Sequence, residues 1–270
     1  MSYDLAVLDL DGTLLPEKGE LDPELARALH GAQARGFRLT IATGRMPPAT
    51  QPYIDALGIA EPVIFYNGAL VRDVVGKKDL ASYLLPNGLA EQAAQVFRLV
   101  PVHPLFYRDD RLFCLEPTPP IKEYCEEERL TVEVISDLQR FLSGPLIKVL
   151  LIGDPPVLAD LRQALRPLVS SKGRLVTSRP HYLEILPRDA SKGTALRVLS
   201  RHLGVPLERI LAAGDQENDL ELIRTAGYGI AMPHSPDAVK AVAKRIAPTR
   251  DAGGLLALFR ELLPQYFSSQ

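Results

Sequence analysis

Residues Val7–Leu15 read V-L-D-L-D-G-T-L-L, an apolar run that ends in two carboxylates followed by a Gly-Thr pair. The run 4–10 has the length of a short buried strand, and Gly12 allows the backbone to turn sharply after it. Because side chains two positions apart on an extended segment point to the same side, we expect the carboxylates of Asp9 and Asp11 to converge on one point. Like charges held that close raise each other's pKa unless a cation or a shared proton relieves them. This stretch therefore predicts a divalent-cation site with an attacking carboxylate at the end of a strand.

Strand and helix signals alternate on both sides of this stretch. Asp22 followed by Pro23 is typical of a helix start, and the helical spacing of apolar residues continues until Gly36. Later elements are predicted as strand 37–42, helix 48–57, strand 62–66, helix 191–203, strand 209–213, helix 220–225, strand 228–231, helix 236–243, strand 245–247 and helix 253–263. Short apolar strands in repeated βα units predict an α/β fold with a doubly wound parallel sheet, a Rossmann-like core.

The pattern changes in the middle of the chain, between residues 71 and 187. The predicted strands become longer and more alternating, for example 106–116 and 182–186, and prolines interrupt the sequence. We interpret this region as an inserted α+β domain of ordinary domain size. The predicted organisation is a core formed by residues 1–83 and 187–270, with the inserted domain at 84–186.

The composition is that of a soluble globular protein, and a cytoplasmic enzyme fits it as most soluble proteins do. The 270 residues are 46% hydrophobic and 24% charged, and the net charge of -2 gives no reason to expect a nucleic acid or a membrane surface as partner. Two cysteines do not make a disulfide framework. Acidic residues interrupt the apolar N-terminus, so it does not have the pattern of a secretory signal. We therefore expect a reducing, cytoplasmic location; the sequence leaves the oligomeric state open.

Four polar clusters fall at the carboxyl ends of predicted parallel strands, which is the edge where ligands of open α/β sheets bind. A lysine, Lys192, begins the helix that follows the insertion. Carboxylate oxygens suit Mg²⁺, and a hydroxyl, backbone N–H groups and an ammonium suit the oxygens of a phosphoryl group. The clusters are Asp9 with Asp11, Thr43-Gly44-Arg45, Asn67-Gly68 and Gly214-Asp215.

Each of these residues also has a structural interpretation. Thr43 could cap the helix that follows it, Asn67 before Gly68 could form a simple turn, and Lys192 could be an ordinary solvated lysine. Asp219 is better interpreted as a residue that supports Asp215 than as a direct metal ligand. The functional interpretation rests on the placement of all the clusters at one edge of the sheet.

The same motifs give the chain a resemblance, along essentially its whole length, to haloacid dehalogenase-like phosphohydrolases of the Cof type. The matching motifs are D-x-D-G-T at 9–13, Thr-Gly-Arg at 43–45, Asn-Gly-Ala at 67–69, Ser-Lys-Gly at 191–193 and G-D-x-x-N-D at 214–219. One departure is visible at residues 231–235, which read A-M-P-H-S where this branch usually carries A-M-x-N-A. His234 therefore stands in the place of an asparagine, and its effect is left open.

This resemblance implies a Mg²⁺-dependent phosphatase that hydrolyses a small phosphorylated metabolite, a sugar phosphate or a nucleotide-like compound, through an aspartyl-phosphate. The implied nucleophile is Asp9, the implied general acid and base is Asp11, and the implied metal ligands are Asp9, the backbone carbonyl of Asp11 and Asp215. The implied catalytic residues are Asp9, Asp11, Thr43 and Lys192. The implied substrate-binding residues are Thr43, Gly44, Arg45, Asn67, Lys192 and Asn218.

The insertion is implied to act as a lid that selects the substrate. Candidate contact residues in it are Arg108, Lys148, Arg179, His181 and Glu184. Two other functions stay open: a phosphomutase or phosphotransferase, which passes the phosphoryl group to another hydroxyl, and a non-catalytic binding module switched by phosphorylation. A dinucleotide-dependent oxidoreductase fits poorly, because no G-x-G-x-x-G follows the first strand.

Overall fold

The apolar run near the start of the chain forms strand β1, which comprises the four buried residues Leu5–Leu8. The computed structural model describes residues 3–15, 20–249 and 252–267. The described chain divides into two compact units. The first lies within Met1–Arg45, Thr50–Ala81 and Ser191–Gln270, and the second within Met46–Ala49 and Ser82–Ala190.

The first unit alternates strands and helices, as the sequence predicts. Its elements are β1, α1 (Pro23–Ala34), β2 (Arg38–Ile41), α2 (Pro47–Leu57), β3 (Val63–Phe65), β4 (Leu70–Asp73), β5 (Lys78–Ser82), α7 (Lys192–Leu203), β12 (Ile210–Gly214), α8 (Leu220–Thr225), β13 (Tyr228–Ala231), α9 (Asp237–Lys240), β14 (Arg245–Ile246), α10 (Ala252–Leu262) and α11 (Pro264–Phe267). The helix predicted at 236–243 is shorter in the structure, where α9 covers four residues.

A parallel sheet with the strand order β14-β13-β12-β1-β2 forms the centre of this unit. From β1 the chain moves to β2 on one side, whereas β12, β13 and β14 follow one another outwards on the other side. The carboxyl end of β1 therefore lies where the strand order reverses, which is the position that ligands of doubly wound sheets occupy. The parallel sheet confirms the predicted α/β class.

The third predicted strand has a different environment from the others. β3 pairs antiparallel with β4, in a sheet of order β3-β4-β5. It is joined to the end of β2 by a parallel bridge between Ala42 and Ile64, and by the N–H of Thr43, which donates to the carbonyl of Ile64 at 2.9 Å. These contacts bring the segment after β3 next to the segment after β2.

Burial of one apolar face fixes α7 and α8 against the parallel sheet. Leu5 and Val7 of β1 pack in one cluster with Ala195 and Leu196 of α7 and Leu222 of α8, and all five side chains are fully buried. Burying a side chain of leucine size stabilises the fold by about 1.5–3 kcal/mol. This packing sets the position of the amino end of α7 relative to the end of β1.

The second unit is an α+β unit built on a single mixed sheet. Its strand order is β10-β11-β9-β6-β7-β8. The elements are α3 (Leu89–Phe97), β6 (His103–Arg108), β7 (Arg111–Cys114), α4 (Pro119–Glu128), β8 (Val132–Val134), α5 (Leu138–Leu142), β9 (Lys148–Ile152), α6 (Pro155–Val169), β10 (Gly173–Arg179) and β11 (Tyr182–Pro187). Phe106, Val149 and Leu151 share an apolar core with residues of α3 and α6.

The prediction of one long strand over 106–116 is wrong. The structure has a hairpin there, in which β6 and β7 pair antiparallel and Arg108 lies opposite Arg111. Asp109 and Asp110 form the two-residue turn with φ of 50° and 55°. Such a turn requires positive φ at both positions, and aspartate tolerates it better than most residues do. The alternation of apolar residues continues through the turn, which hides the break in the sequence.

Several charged residues named as candidate contacts have partners inside the second unit. Lys148 and Glu184 are both about 3% exposed and form an ion pair of 3.1 Å. Arg179 pairs with Glu127 at 3.1 Å, and the Arg108 guanidinium lies 4.0 Å from the centroid of the Phe141 ring. These contacts give each of the three cations a structural role within its own unit.

The composition gave two expectations that concern the cysteines and the helices. Cys114 and Cys125 are both free and buried, and burial raises the pKa of the Cys125 thiol to about 11. Among the described helices, none combines the length and the apolar character that crossing a bilayer requires.

The N-cap of α1 gives a test of the fold. Asp22 accepts hydrogen bonds from the backbone N–H groups of Glu24 and Leu25, at 2.8 and 2.9 Å. We expect Asp22→Ala to lower the free energy of unfolding by about 1 kcal/mol in urea titrations, because two N–H groups of the first turn lose their acceptor. Asp22→Asn keeps an acceptor oxygen and should keep most of the stability. Equal losses in the two variants would contradict the capping role.

Candidate active site

Asp9 is the first residue beyond β1. Its backbone N–H donates to the carbonyl of Ala213 at 3.0 Å, which continues the parallel pairing of β1 with β12. The side chain is 4% exposed, and its Oδ1 accepts a hydrogen bond of 2.5 Å from Nζ of Lys192. The carboxylate is therefore held, almost out of solvent, at the carboxyl edge of the sheet.

Lys192 is fully buried at the first position of α7. Its Nζ also donates to Oδ1 of Asp219 at 2.6 Å, so that one ammonium joins two carboxylates. Burial by itself would lower the pKa of Lys192, but the carboxylates of Asp219 and Asp9 outweigh that effect, and the pKa is raised. The ammonium therefore stays charged throughout the physiological pH range.

Asp219 holds the loop that carries Asp215. Its Oδ2 accepts the backbone N–H groups of Asp215 and Gln216, at 2.9 and 3.1 Å, while its Oδ1 contacts Lys192. Gly214 allows this close approach, because a Cβ there would lie 2.4 Å from the Cβ of Asp219. These bonds let Asp219 hold the backbone of the loop at Asp215 and Gln216 while it pairs with Lys192.

Asp215 has one satisfied and one unsatisfied carboxylate oxygen. Its Oδ2 accepts hydrogen bonds from Nε2 of Gln216 at 3.0 Å and from Nε2 of His234 at 3.1 Å. Its Oδ1 is buried and has no hydrogen-bond partner among the described residues. Burial, and next the negative charge of Asp219, raise the pKa of Asp215 to about 7. Gly12, with φ of +80°, leaves the space that this carboxylate fills, since a Cβ there would lie 2.3 Å from Oδ2.

Three carboxylates meet at this edge of the sheet. Asp9, Asp215 and Asp219 are all buried, and each offers an oxygen within 4.8 Å of the others. Burial, and then the charges of Asp219 and Asp215, raise the pKa of Asp9 well above its usual range, although Lys192 acts in the opposite direction. When all three carboxylates are ionised, a single ammonium leaves the group with excess negative charge. Oxygen donors and an unsatisfied Oδ1 on Asp215 fit a hard divalent cation, which this group could hold.

The side chain of Asp11 does not join this group. Its carboxylate forms a two-pronged ion pair with the Arg45 guanidinium, at 2.8 Å from Nε and 2.7 Å from the terminal nitrogen. The two carboxylates therefore have different partners, Lys192 for Asp9 and Arg45 for Asp11, and their convergence on one point stays a prediction. The same-side rule holds for extended backbone, but β1 ends at Leu8 and the chain turns at once, with the N–H of Thr13 donating to the carbonyl of Leu10.

Arg45 is more buried than its position after β2 suggested. It is 8% exposed, and besides pairing with Asp11 its guanidinium lies 5.3 Å from the centroid of the Tyr53 ring. Its backbone N–H donates to Oγ1 of Thr43 at 3.1 Å. The arginine thus joins the segment after β2 to the segment after β1.

The predicted clusters after β2, β3 and β12 contact one another. Thr43 is fully buried, and its carbonyl accepts the N–H of Asn67 at 2.9 Å. Asn67 adopts the left-handed region with φ of 56°, and its Oδ1 accepts Nδ2 of Asn218 at 2.9 Å. A Cβ at Gly44 would lie 3.0 Å from the same Oδ1. The structure therefore brings together the segments that carry these four predicted residues.

Gly68 explains how closely α7 approaches this edge. Its φ is +96°, and a Cβ there would lie 2.1 Å from the carbonyl oxygen of Ser191. Any larger residue would have to displace the backbone that leads into α7 and so the amino end of the helix that carries Lys192. The glycine of the Asn-Gly-Ala motif is therefore a packing requirement of the site.

Three contacts around these residues were not expected from the sequence. Gln216 and His234 both bond to Asp215, and Ser191, the N-cap of α7, donates to Oε2 of Glu221 at 2.6 Å. Gln216 and Glu221 carry no signal in the sequence, because both look like exposed helix or turn residues. His234 did carry one, since it departs from the asparagine of the family pattern.

The pKa of Asp215 gives a test of this geometry. A carboxyl group whose pKa is higher in the folded than in the unfolded state stabilises the fold most at a pH below its unfolded-state pKa, here about 4. This stabilisation is lost as the pH rises through the folded-state pKa of about 7. In EDTA, we expect Asp215→Asn to gain stability relative to the unsubstituted protein between pH 4 and 7, as measured by urea unfolding. Asp55→Asn, on an exposed position of α2, is the matched control. A pH-independent difference for Asp215→Asn would contradict the assigned burial and charge environment.

Comparison with known proteins shows the family of this chain. The family model described as haloacid dehalogenase-like hydrolase matches residues 6–259. The putative phosphatase YxeH of Bacillus subtilis is 32% identical over 257 residues, which cover 88% of this chain and 91% of that protein. The HMP-PP phosphatase of Serratia proteamaculans is 31% identical over 248 residues, which cover 89% and 87%.

A solved structure shares the whole architecture. A haloacid dehalogenase-like hydrolase from Bacteroides thetaiotaomicron superposes with a TM-score of 0.87 at 27% identity, covering 97% of this chain and 100% of that one. The fold of this chain is therefore that of a protein described as a haloacid dehalogenase-like hydrolase. The chain belongs to the haloacid dehalogenase-like hydrolases, in the Cof-type branch.

Proposed function

We propose that this phosphoric monoester hydrolase removes the phosphoryl group of a small phosphorylated metabolite through an aspartyl-phosphate formed on Asp9, with Mg²⁺ as cofactor. The observation that carries the proposal is the buried Asp9 carboxylate, fixed at 2.5 Å from Lys192 beside two further buried acids at the switch point of the sheet. A carboxylate in such a position can act as a nucleophile once its repulsion with an anionic substrate is relieved.

The proposed reaction has two displacements at phosphorus. In the first, an oxygen of Asp9 attacks in line, the bond from phosphorus to the leaving oxygen breaks, and Asp11 gives that oxygen a proton. In the second, water attacks the phosphorus of the aspartyl-phosphate, Asp11 takes a proton from the water, and Asp9 and inorganic phosphate are released. Because Arg45 holds Asp11 as an ion pair in this structure, we expect that pair to open during turnover.

Two groups of residues would support these steps. Lys192 and Thr43 would hold oxygens of the phosphoryl group, with Asn218 beside them. Asp9, Asp215 and the backbone carbonyl of Asp11 would hold Mg²⁺, which supplies positive charge that offsets the repulsion between nucleophile and phosphate. Asp219 would keep Lys192 and the loop of Asp215 in place, as the three hydrogen bonds of its side chain suggest.

Unsatisfied polar atoms support a polar ligand at this edge. Thr13 Oγ1, Asp215 Oδ1, Asn218 Oδ1 and Ser235 Oγ are buried and have no hydrogen-bond partner in the described structure. They belong to the segments that follow β1, β12 and β13. A buried polar atom without a partner costs about 1–3 kcal/mol, so a ligand or ion that satisfies several of them is favoured.

The substrate class proposed is a sugar phosphate or a nucleotide-like compound. The named phosphatase relatives support a small phosphorylated substrate. The second unit, within Met46–Ala49 and Ser82–Ala190, is a separate compact body in which selectivity can reside. We propose that this inserted domain selects among substrates that share the phosphoryl group, as surface loops carried on a common fold do.

A phosphate-release screen over a metabolite panel, with Mg²⁺ and with EDTA, tests the function. We expect Mg²⁺-dependent release of inorganic phosphate from one or a few sugar phosphates or nucleotide-like compounds. Transfer of the phosphoryl group to another hydroxyl without free phosphate would indicate a phosphotransferase or mutase. A panel in which no compound is dephosphorylated or transphosphorylated would overturn the proposal.

Substitution of the proposed nucleophile is a sharper test. We expect Asp9→Asn to lower kcat at least about a thousandfold with the fold intact, because the amide cannot form the covalent intermediate. Asp4→Asn, on the same segment before β1 begins, is the matched control and should keep full activity. Circular dichroism checks the fold. Turnover in Asp9→Asn close to that of the control would refute the nucleophile.

A further inference from the structure

The two oxygens of Asp215 have different surroundings. Oδ2 accepts two hydrogen bonds, from Gln216 at 3.0 Å and from His234 at 3.1 Å, whereas the buried Oδ1 accepts none from the described residues. When Asp215 is ionised its oxygens can only accept, so Nε2 of His234 is then the donor of this bond. The carboxylate is therefore clamped on one oxygen and left available on the other.

The histidine is itself held in place by the segment after β13. The N–H of Met232 donates to the carbonyl of Gly214 at 3.2 Å, and the N–H of Ser235 donates to the carbonyl of Met232 at 3.0 Å. The His234 side chain is 18% exposed, so most of the ring is packed. Backbone bonds thus join the segment that carries His234 directly to the residue that precedes Asp215.

Gly12 also limits the position of this carboxylate. Its backbone leaves just enough room for Oδ2, because a Cβ there would overlap that oxygen at 2.3 Å. Because Gly12 confines Oδ2 and two donors bond to it, the Asp215 carboxylate cannot rotate freely about its last side-chain torsion. The orientation of Oδ1 is therefore set before any ligand arrives, and preorganisation of this kind lowers the entropic cost of binding.

We infer that His234 is a positioning residue which fixes the Asp215 carboxylate so that Oδ1 alone is offered to a divalent cation. The inference rests on the metal site of the proposed function. Residues that hydrogen-bond to a metal ligand orient it, and their loss typically weakens metal binding about ten- to a hundredfold. His234 acts through Asp215 and does not itself take part in the phosphoryl transfer.

Direct ligation by His234 is a different role, which the geometry does not favour. The group of oxygens within 4.8 Å of one another comprises Asp9, Asp215 and Asp219, and His234 is not a member of it. A nitrogen ligand would also shift the preference of the site from Mg²⁺ towards transition metals. If His234 positions Asp215, its substitution should weaken Mg²⁺ binding. If His234 is itself a ligand, its substitution should weaken the binding of transition metals more than that of Mg²⁺.

The test uses three substitutions at one position and Mg²⁺ alone as the probe. The amide nitrogen of glutamine reaches about as far from the backbone as Nε2 of histidine does, whereas that of asparagine reaches about as far as Nδ1. In isothermal titration of the full chain without substrate, we expect His234→Ala and His234→Asn to raise the Kd for Mg²⁺ at least about tenfold. We expect His234→Gln to restore a Kd within about threefold of that of the unsubstituted protein.

Controls separate positioning from general destabilisation. His202→Ala removes an exposed histidine in the last turn of α7 and should leave the Kd unchanged. Thermal unfolding in EDTA should give similar midpoints for the three His234 variants, since the hydrogen bond from His234 to Asp215 affects metal binding and not the packing of the core. Equal weakening in all three variants, or a His234→Ala Kd within threefold of the unsubstituted value, would overturn the inference. A Mn²⁺ affinity that falls far more than the Mg²⁺ affinity would instead indicate direct ligation.

Failure of the proposed function would give a different result. If His234→Ala weakens Mg²⁺ binding and His234→Gln restores it, the positioning role stands even when no metabolite in the panel releases phosphate. If phosphate is released, we expect His234→Ala to raise the Mg²⁺ concentration needed for half-maximal rate, with kcat at saturating Mg²⁺ within about threefold of the unsubstituted protein. A lowered kcat at an unchanged Mg²⁺ requirement would count against the inference.

Discussion

The ammonium of Lys192 is the interaction on which the rest of the site depends. It lies fully buried between Asp9 and Asp219, at 2.5 and 2.6 Å, and thereby makes it possible to bury carboxylates at the end of the central strand. Removing one partner of such a group would leave a buried charge uncompensated, which typically costs several kcal/mol. A single cation cannot neutralise Asp9, Asp215 and Asp219 together, and this remaining negative charge makes a divalent cation a natural addition.

The topology of the sheet explains why these charges come together. β1 lies between β12 and β2, so the residues that follow all three strands share one edge. The pairing of Asn67 with Asn218 and the backbone contact of Thr43 with Asn67 add the segment after β3 to the same group. Glycines then set the distances, because a Cβ at positions 12, 68 or 214 would overlap a neighbouring atom. The strand order thus places the charged residues at one edge of the sheet, and the glycines allow the backbone segments there to approach closely.

Much of the fold was predictable because its signals are local. Apolar strands of four or five residues, the Asp22 cap and the polar clusters after the strands could all be located in the sequence, and the parallel sheet confirms the α/β class. The hairpin of β6 and β7 was not recognised, because its turn uses two aspartates instead of glycine or asparagine. The ion pair of Asp11 with Arg45 was also missed, since it joins residues 34 positions apart and depends on how sharply the chain turns after β1.

The sequence by itself determined the types of chemical group available and the strand ends at which they occur, because both follow from residue identity and short-range periodicity. It also determined the family, through motifs that span the chain. Only the tertiary structure decided which oxygen of Asp215 is held and which is left available, and that Gln216 and His234 hold it. Such choices depend on distances of about 3 Å between residues far apart in the chain, and those distances are set by packing and strand register, which no local pattern encodes.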